Sequence, residues 1–194
     1  MPMPLTGSEP LAGGTLLDFW RWSGGNLLDN TQRGLLAEFL VTKALGGAHS
    51  AREEWAAVDV VCPDGTKVEV KSSAFLQSWP QRQPSRPSFG IAPTRAWDSA
   101  TGKYEAVTKR QADVYVFALL AHKTFATVVP TDLSQWEFYV VRTGDLPQQK
   151  TIGLRPLQAI AGAPVAYENL AEAVRKAAMR ADPEGSTDPL PSDR

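Results

Sequence analysis

The chain has 194 residues, 43% of them apolar and 21% charged, and its 20 basic and 21 acidic side chains leave a net charge of −1. These proportions exclude a disordered or low-complexity chain, and no apolar run approaches the roughly 20 residues that a membrane-spanning helix needs. A single cysteine, Cys62, and two histidines, His49 and His122, exclude an internal disulfide and a cysteine-based zinc site, so any metal site must be built mainly from carboxylates, the donors of hard cations.

Residues 1–15 are punctuated by Pro and Gly, and residues 182–194 have Leu190 as their one large apolar side chain, so both ends are expected to be flexible tails around a single domain at 16–181. The first ten residues lack the basic and apolar regions of a secretory signal, which makes a cytoplasmic protein the expectation. An apolar segment at 16–22 ends at Gly24 and Gly25. A helix is predicted next, capped by Asp29, Asn30 or Thr31 and stopped by Gly46 and Gly47. Two Val-rich runs, 56–62 and 66–73, flank Pro63-Asp64-Gly65 and read as a hairpin. Further strands are expected at 88–92, 113–120 and 136–141, the middle one apolar on both faces and therefore central. The stretch 78–112 is Pro-rich and then turns at Gly102, with no clear helical pattern, whereas a last helix is predicted over 165–181 from Leu170, Val174, Ala177 and Ala178. The order of elements predicts a mixed α/β fold.

Proline decides the hairpin register. A two-residue Asp64-Gly65 turn would make Pro63 a ladder residue, and proline has no amide hydrogen to donate. In a three-residue loop Pro63 takes the first turn position and Gly65 the left-handed one of a bulge. Paired residue numbers then sum to 128, so Asp59 lies opposite Glu69 and shares a face with Lys67 and Lys71, while Val60, Val68 and Val70 point the other way. Opposed carboxylates with Cβ atoms about 5 Å apart repel unless a cation sits between them. Mg²⁺ suits a site made of Asp59, Glu69 and the Val70 carbonyl, with Lys71 placed to act on the attacking water and on phosphate charge. Glu38 falls on the helix stripe Leu35, Glu38, Thr42, Leu45, and that metal site is one partner available to it.

A Glu-x-Lys triplet alone is weak, and a solvated strand face is the competing explanation; the conjunction with Asp59, the turn and Glu38 favours the site. Gln77 reads either as a contact to a phosphate or base, or as an exposed loop glutamine. His49 and His122 read as surface residues and Cys62 as a small buried hydrophobe. Trp79 and Trp97 flank a loop able to stack bases. Residues 67–110 carry eight basic side chains against three acidic, a local +5 that makes Arg82, Arg86, Arg95, Lys109 and Arg110 candidate nucleic-acid contacts despite the neutral total.

Glu38, Asp59 and Glu69-Val70-Lys71 together resemble the PD-(D/E)xK nuclease superfamily, with its restriction endonuclease-like fold. The resemblance covers about residues 30–120. It implies a core of a helix, a three-stranded meander, a second helix and a further strand, with Asp59 and Glu69 binding Mg²⁺ or Mn²⁺, Lys71 assisting the water and Glu38 as accessory carboxylate. Gln77 resembles the glutamine that follows the motif in several branches. The expected function is a metal-dependent deoxyribonuclease acting on DNA, and the resemblance admits a homodimer. The alternatives are a catalytically inactive nuclease-fold module that binds DNA, or a protein-interaction module.

Overall fold

A computed structural model describes residues 5–47, 56–98 and 101–179. Within them, β1 (Pro10–Leu11) and β2 (Gly14–Thr15) pair as a minimal hairpin that leads into α1 (Leu16–Gly24). Thr15 and Asp18 form a reciprocal capping box, the Thr15 hydroxyl accepting the Asp18 amide and the Asp18 carboxylate accepting the Thr15 amide. No residue of α1 is buried, and Trp22 is 83% exposed.

The predicted first long helix is α2 (Asn30–Ala44), with Asp29 accepting hydrogen bonds from the amides of Thr31 and Gln32, and Gly46 in the left-handed region (φ +70°) just past its end. Its buried stripe is Arg33, Ala37 and Val41, continued by Leu45, and Leu35 lies outside it at 39% exposure. The stripe expected through Leu35 and Glu38 is corrected accordingly: spacing by four from Arg33 packs on the sheet, and Glu38 borders that contact.

The hairpin has the predicted register. In β3 (Val60–Val61) and β4 (Lys67–Ala74), Val60 faces Val68 and Val61 faces Lys67, the Cys62 amide donates to the Thr66 carbonyl, and Gly65 is left-handed (φ +88°). The strand expected over 56–62 is nevertheless only two residues long. Val58 turns into the core, and the carboxylate of Asp59 takes the Val70 amide.

Two short antiparallel pairs come from the next stretch: β5 (Ser88–Gly90) pairs outside the main sheet, and β6 (Trp97–Asp98) pairs with β7 (Lys103–Tyr104). No helix occurs among the described residues of 78–112, so the second core helix and the three-stranded meander implied by the resemblance are both replaced. The main sheet runs β3-β4-β8-β9, with β8 (Val114–Leu120) parallel to β4 and antiparallel to β9 (Trp136–Arg142). All seven residues of β8 are buried, as its two-faced apolar pattern requires.

Alternation divides the core. Val68, Val70, Val114, Val116, Ala118 and Leu120 pack toward α2 and a C-terminal helix, α4 (Leu170–Ala178), after α3 (Leu154–Ala161) has packed on the opposite face. On that opposite face Tyr115, Phe117, Leu119 and Tyr139 meet Leu157 of α3 and Phe89 and Ile152, the latter from β10 (Thr151–Gly153), which is the partner of β5. The sequence reading missed α3. Pro156 stands in its first turn, where amides have no intrahelical acceptor and proline costs little. The helix expected over 165–181 begins with a single 3₁₀ turn at Tyr167–Asn169, and its last two residues lie outside the described residues. No described helix is long and apolar enough to cross a membrane. Residues 182–194, His49 and Trp55 also lie outside the described residues.

Candidate active site

Because β3 ends after two residues, the edge of β4 beyond Val68 is open on that side. Asp59, just before β3, fills the first position of this gap: its Oδ2 accepts the Val70 amide at 2.7 Å. The amide and carbonyl of a strand residue project to the same side, so the Val70 carbonyl also faces the open edge beside Asp59. Glu69 and Lys71 lie on the strand face opposite Val68 and Val70, half-buried, with the Lys71 Nζ 2.5 Å from Glu69 Oε1. The predicted cluster of Asp59, Glu69 and Lys71 is therefore assembled.

The electrostatics match a site short of positive charge. Burial pushes the Glu69 carboxyl above its ordinary range, the negative charge of Asp59 pushes it further, Lys71 opposes both, and Glu38 adds a smaller upward push. Tyr115, which pairs with Glu69 across the parallel ladder, is pushed up to about 12 by burial first and then by the Glu69 charge. Glu38 thus reaches the site through its field, from a half-buried position on α2. Carboxylates held together without full compensation are suited to a divalent cation, and the set Asp59, Glu69 and the Val70 carbonyl suits an ion that keeps most of its waters. No three His, Cys, Asp or Glu side chains among the described residues form a ready cage, so substrate oxygens and water would have to complete the coordination.

The candidate nucleic-acid residues separate into two groups. Gln77 and Arg86 line one cleft at the far end of β4, and Arg82 lines a neighbouring one with Trp79, Lys123 and Phe125. Arg95, by contrast, donates to the carbonyls of Glu105 and Tyr104, and Lys109 bridges to Thr94 through its backbone. Arg110 donates to the carbonyls of Ile91, Leu146 and Pro147, tying three loops together. The expected exposed-loop alternative for Gln77 does not hold, since Gln77 is 7% exposed. His122 is half-buried and bonds Thr127, and burial raises the Cys62 thiol, as expected of residues outside the chemistry.

The family model described as bacteriophage T4 endonuclease IV matches residues 23–154. The chain belongs to the bacteriophage T4 endonuclease IV family. No curated protein matches the chain. The endonuclease IV match begins at the end of α1, contains Glu38, Asp59, Glu69, Lys71 and Gln77, and ends at the first residue of α3. The open edge of β4 is therefore inside the part shared with the endonuclease IV family.

Sequence reasoning missed Arg33, Asn30, Ser72, Ser73 and Ser85, which line the cleft with Gln77. Arg33 is 4% exposed, and donates to Ser72, to the Leu28 carbonyl and to Asn30. A signal was present: Arg33, Ala37, Val41 and Leu45 recur every four residues, which places an arginine on an apolar stripe.

Proposed function

We propose that this endonuclease IV family member hydrolyses DNA phosphodiester bonds with Mg²⁺ or Mn²⁺, using a site of PD-(D/E)xK type on a mixed sheet that keeps the hairpin and the first helix of a restriction endonuclease-like core. The observation that carries this reading is the grouping of Asp59, Glu69 and Lys71 at the open edge of β4, in a register fixed by Pro63-Asp64-Gly65. Asp59, Glu69 and the Val70 carbonyl would hold the cation, which would supply Lewis acidity toward a phosphoryl oxygen and toward water.

The chain's own groups do the rest. The Lys71 ammonium, steered by Glu69, is placed to hydrogen-bond the attacking water and a phosphoryl oxygen, holding the first in line and offsetting charge on the second. Attack by the water oxygen forms the new P–O bond as the bond to the leaving oxygen breaks; the attacking water gives up its proton to solvent, and solvent supplies the proton that the leaving oxygen takes. The negative field of Glu38 at Glu69 strengthens cation retention. Arg82 and Arg86, downstream along the same edge, would hold the strand backbone.

The test is cleavage of plasmid and of single-stranded DNA by purified protein with Mg²⁺, with Mn²⁺ and with chelator. Metal-dependent cutting that disappears in Asp59→Asn and Lys71→Met, with circular dichroism unchanged, supports the reading. Cutting that persists in both variants overturns it, and DNA binding without cutting under any metal points instead to an inactive nuclease-fold module.

A further inference from the structure

The cleft at the C-terminal end of β4, with a volume of about 370 Å³, adjoins the cluster just described, because its wall residues Ser72 and Ser73 directly follow Lys71. Among the described residues no carboxylate lines it. Its wall holds Arg33, which is 4% exposed and forms no ion pair with a described carboxylate within 4 Å, so that only the more distant charge of Asp29 offsets its burial. Burying a cation whose nearest counter-charge makes no direct contact is costly, and an anion brought into the cleft would offset that cost. The described contacts use three of the five N–H donors of Arg33. Asn30, the first residue of α2, lines the same cleft, and Arg86 stands exposed at the rim.

Gln77 gives an independent indication that something is received here. Its Nε2 donates to the Ala74 carbonyl and to Ser85, but its Oε1 is buried and has no partner. A buried unpaired acceptor costs about 1–3 kcal/mol, and a hydrogen-bond donor brought to it from the adjoining cleft would offset that cost. Arg33 and Gln77 therefore ask for complementary parts of one ligand, an anionic group and a donor close to it.

We propose that this cleft is a subsite for a backbone phosphate of the DNA strand, next to the one that is cut, with the phosphate on Arg33, Asn30 and the serine hydroxyls and with Gln77 Oε1 accepting from the nucleotide that carries it. The inference rests on the nuclease reading for the identity of the strand. From Lys71 to Ser73 the strand advances about 7 Å, so one nucleic-acid strand can meet both places at once.

The experiment separates binding from cutting. Full-length Asp59→Asn protein, in chelator, is titrated with short fluorescein-labelled DNA of mixed sequence, single- and double-stranded, at several salt concentrations. Adding Arg33→Met should weaken binding about tenfold and lower the slope of log K against log salt by about one, the signature of one lost phosphate contact. Gln77→Leu should weaken binding with the slope unchanged, and Arg155→Ala, on exposed α3 surface away from the cleft, should change neither. If Arg33→Met does not fold, Arg86→Ala at the rim decides by the same slope. Slopes equal to the parent's in folded Arg33→Met and in Arg86→Ala overturn the subsite even if the wild type cuts DNA, whereas a wild type that never cuts overturns the nuclease reading and leaves these slopes to be read.

Discussion

The Asp59 carboxylate accepts the backbone amide of Val70 at 2.7 Å, so a side chain occupies the place where a longer β3 would have continued the ladder. This one contact does two things. It satisfies an edge amide, and it fixes a carboxylate beside Glu69 at a point where β4 is otherwise open.

The two roles of Asp59 separate by substitution. Asn keeps an oxygen that can accept the Val70 amide, so Asp59→Asn should unfold within about 0.5 kcal/mol of the wild type while losing Mn²⁺ binding. Asp59→Ala leaves that amide without its acceptor and should cost about 1–2 kcal/mol in addition. Urea denaturation alongside calorimetric Mn²⁺ titration checks both. Equal Mn²⁺ affinity in Asp59→Asn and wild type would remove Asp59 from the cation site.

The residues that formed the cluster were legible because they depend on local constraints: a proline that cannot donate, a glycine that can turn left-handed, and a period of two. The same constraints did not reveal that β3 would be short, since that depends on Asp59 competing for an amide eleven residues away. Arg33 was obscured for another reason. Its burial is set by how α2 docks on β4, and the stripe chosen from Leu35 and Glu38 was one helix face away from the true one. The β5 to β10 pairing, between residues more than sixty positions apart, leaves no local signature in either strand.

Lys71→Met should lower single-turnover cleavage at least 100-fold, because the ammonium that steers water and offsets phosphoryl charge is gone. Mn²⁺ affinity should stay equal or rise, since a cation 2.5 Å from Glu69 no longer competes with the metal for that carboxylate. Lost Mn²⁺ binding in a folded Lys71→Met protein would show that the lysine builds the site rather than acting on the substrate.

Gly65→Ala tests the turn. An alanine Cβ would meet nothing within 4 Å, but the φ of +88° is unfavourable for any residue with a side chain, at a cost of about 1–2 kcal/mol. A melting temperature lower by roughly 2–8 °C is expected, from about 2–4 °C per kcal/mol at this size. Gly90→Ala, equally uncrowded but without positive φ, should melt close to the wild type.

Leu157 is fully buried between α3 and the β8–β9 face, while Ile160 on the same helix is 40% exposed. Leu157→Ala should therefore cost about 2–5 kcal/mol through lost contacts and the cavity left behind, and Ile160→Ala less than about 1 kcal/mol. Similar losses in urea denaturation would mean that α3 does not belong to the cooperative core.

Tyr139 gives the fold an alkaline limit. Burial, then the hydrogen bond it donates to Glu137, pushes its phenol up to about 12, while Gln158 donates to the same oxygen and opposes the shift. In the unfolded chain a tyrosine ionises near pH 10, so above that the unfolded state releases a proton that the folded state still holds. Fewer bound protons in the unfolded state mean that stability falls as pH rises, from about pH 10 until the folded phenol ionises near 12. Tyr139→Phe loses two hydrogen bonds and should be about 1–2 kcal/mol less stable at pH 8, yet its stability should decline less between pH 10 and 12. Urea denaturation at pH 8, 10 and 11 measures the slope, and identical slopes in the two proteins would mean that Tyr139 titrates in the folded chain as it does in the unfolded one.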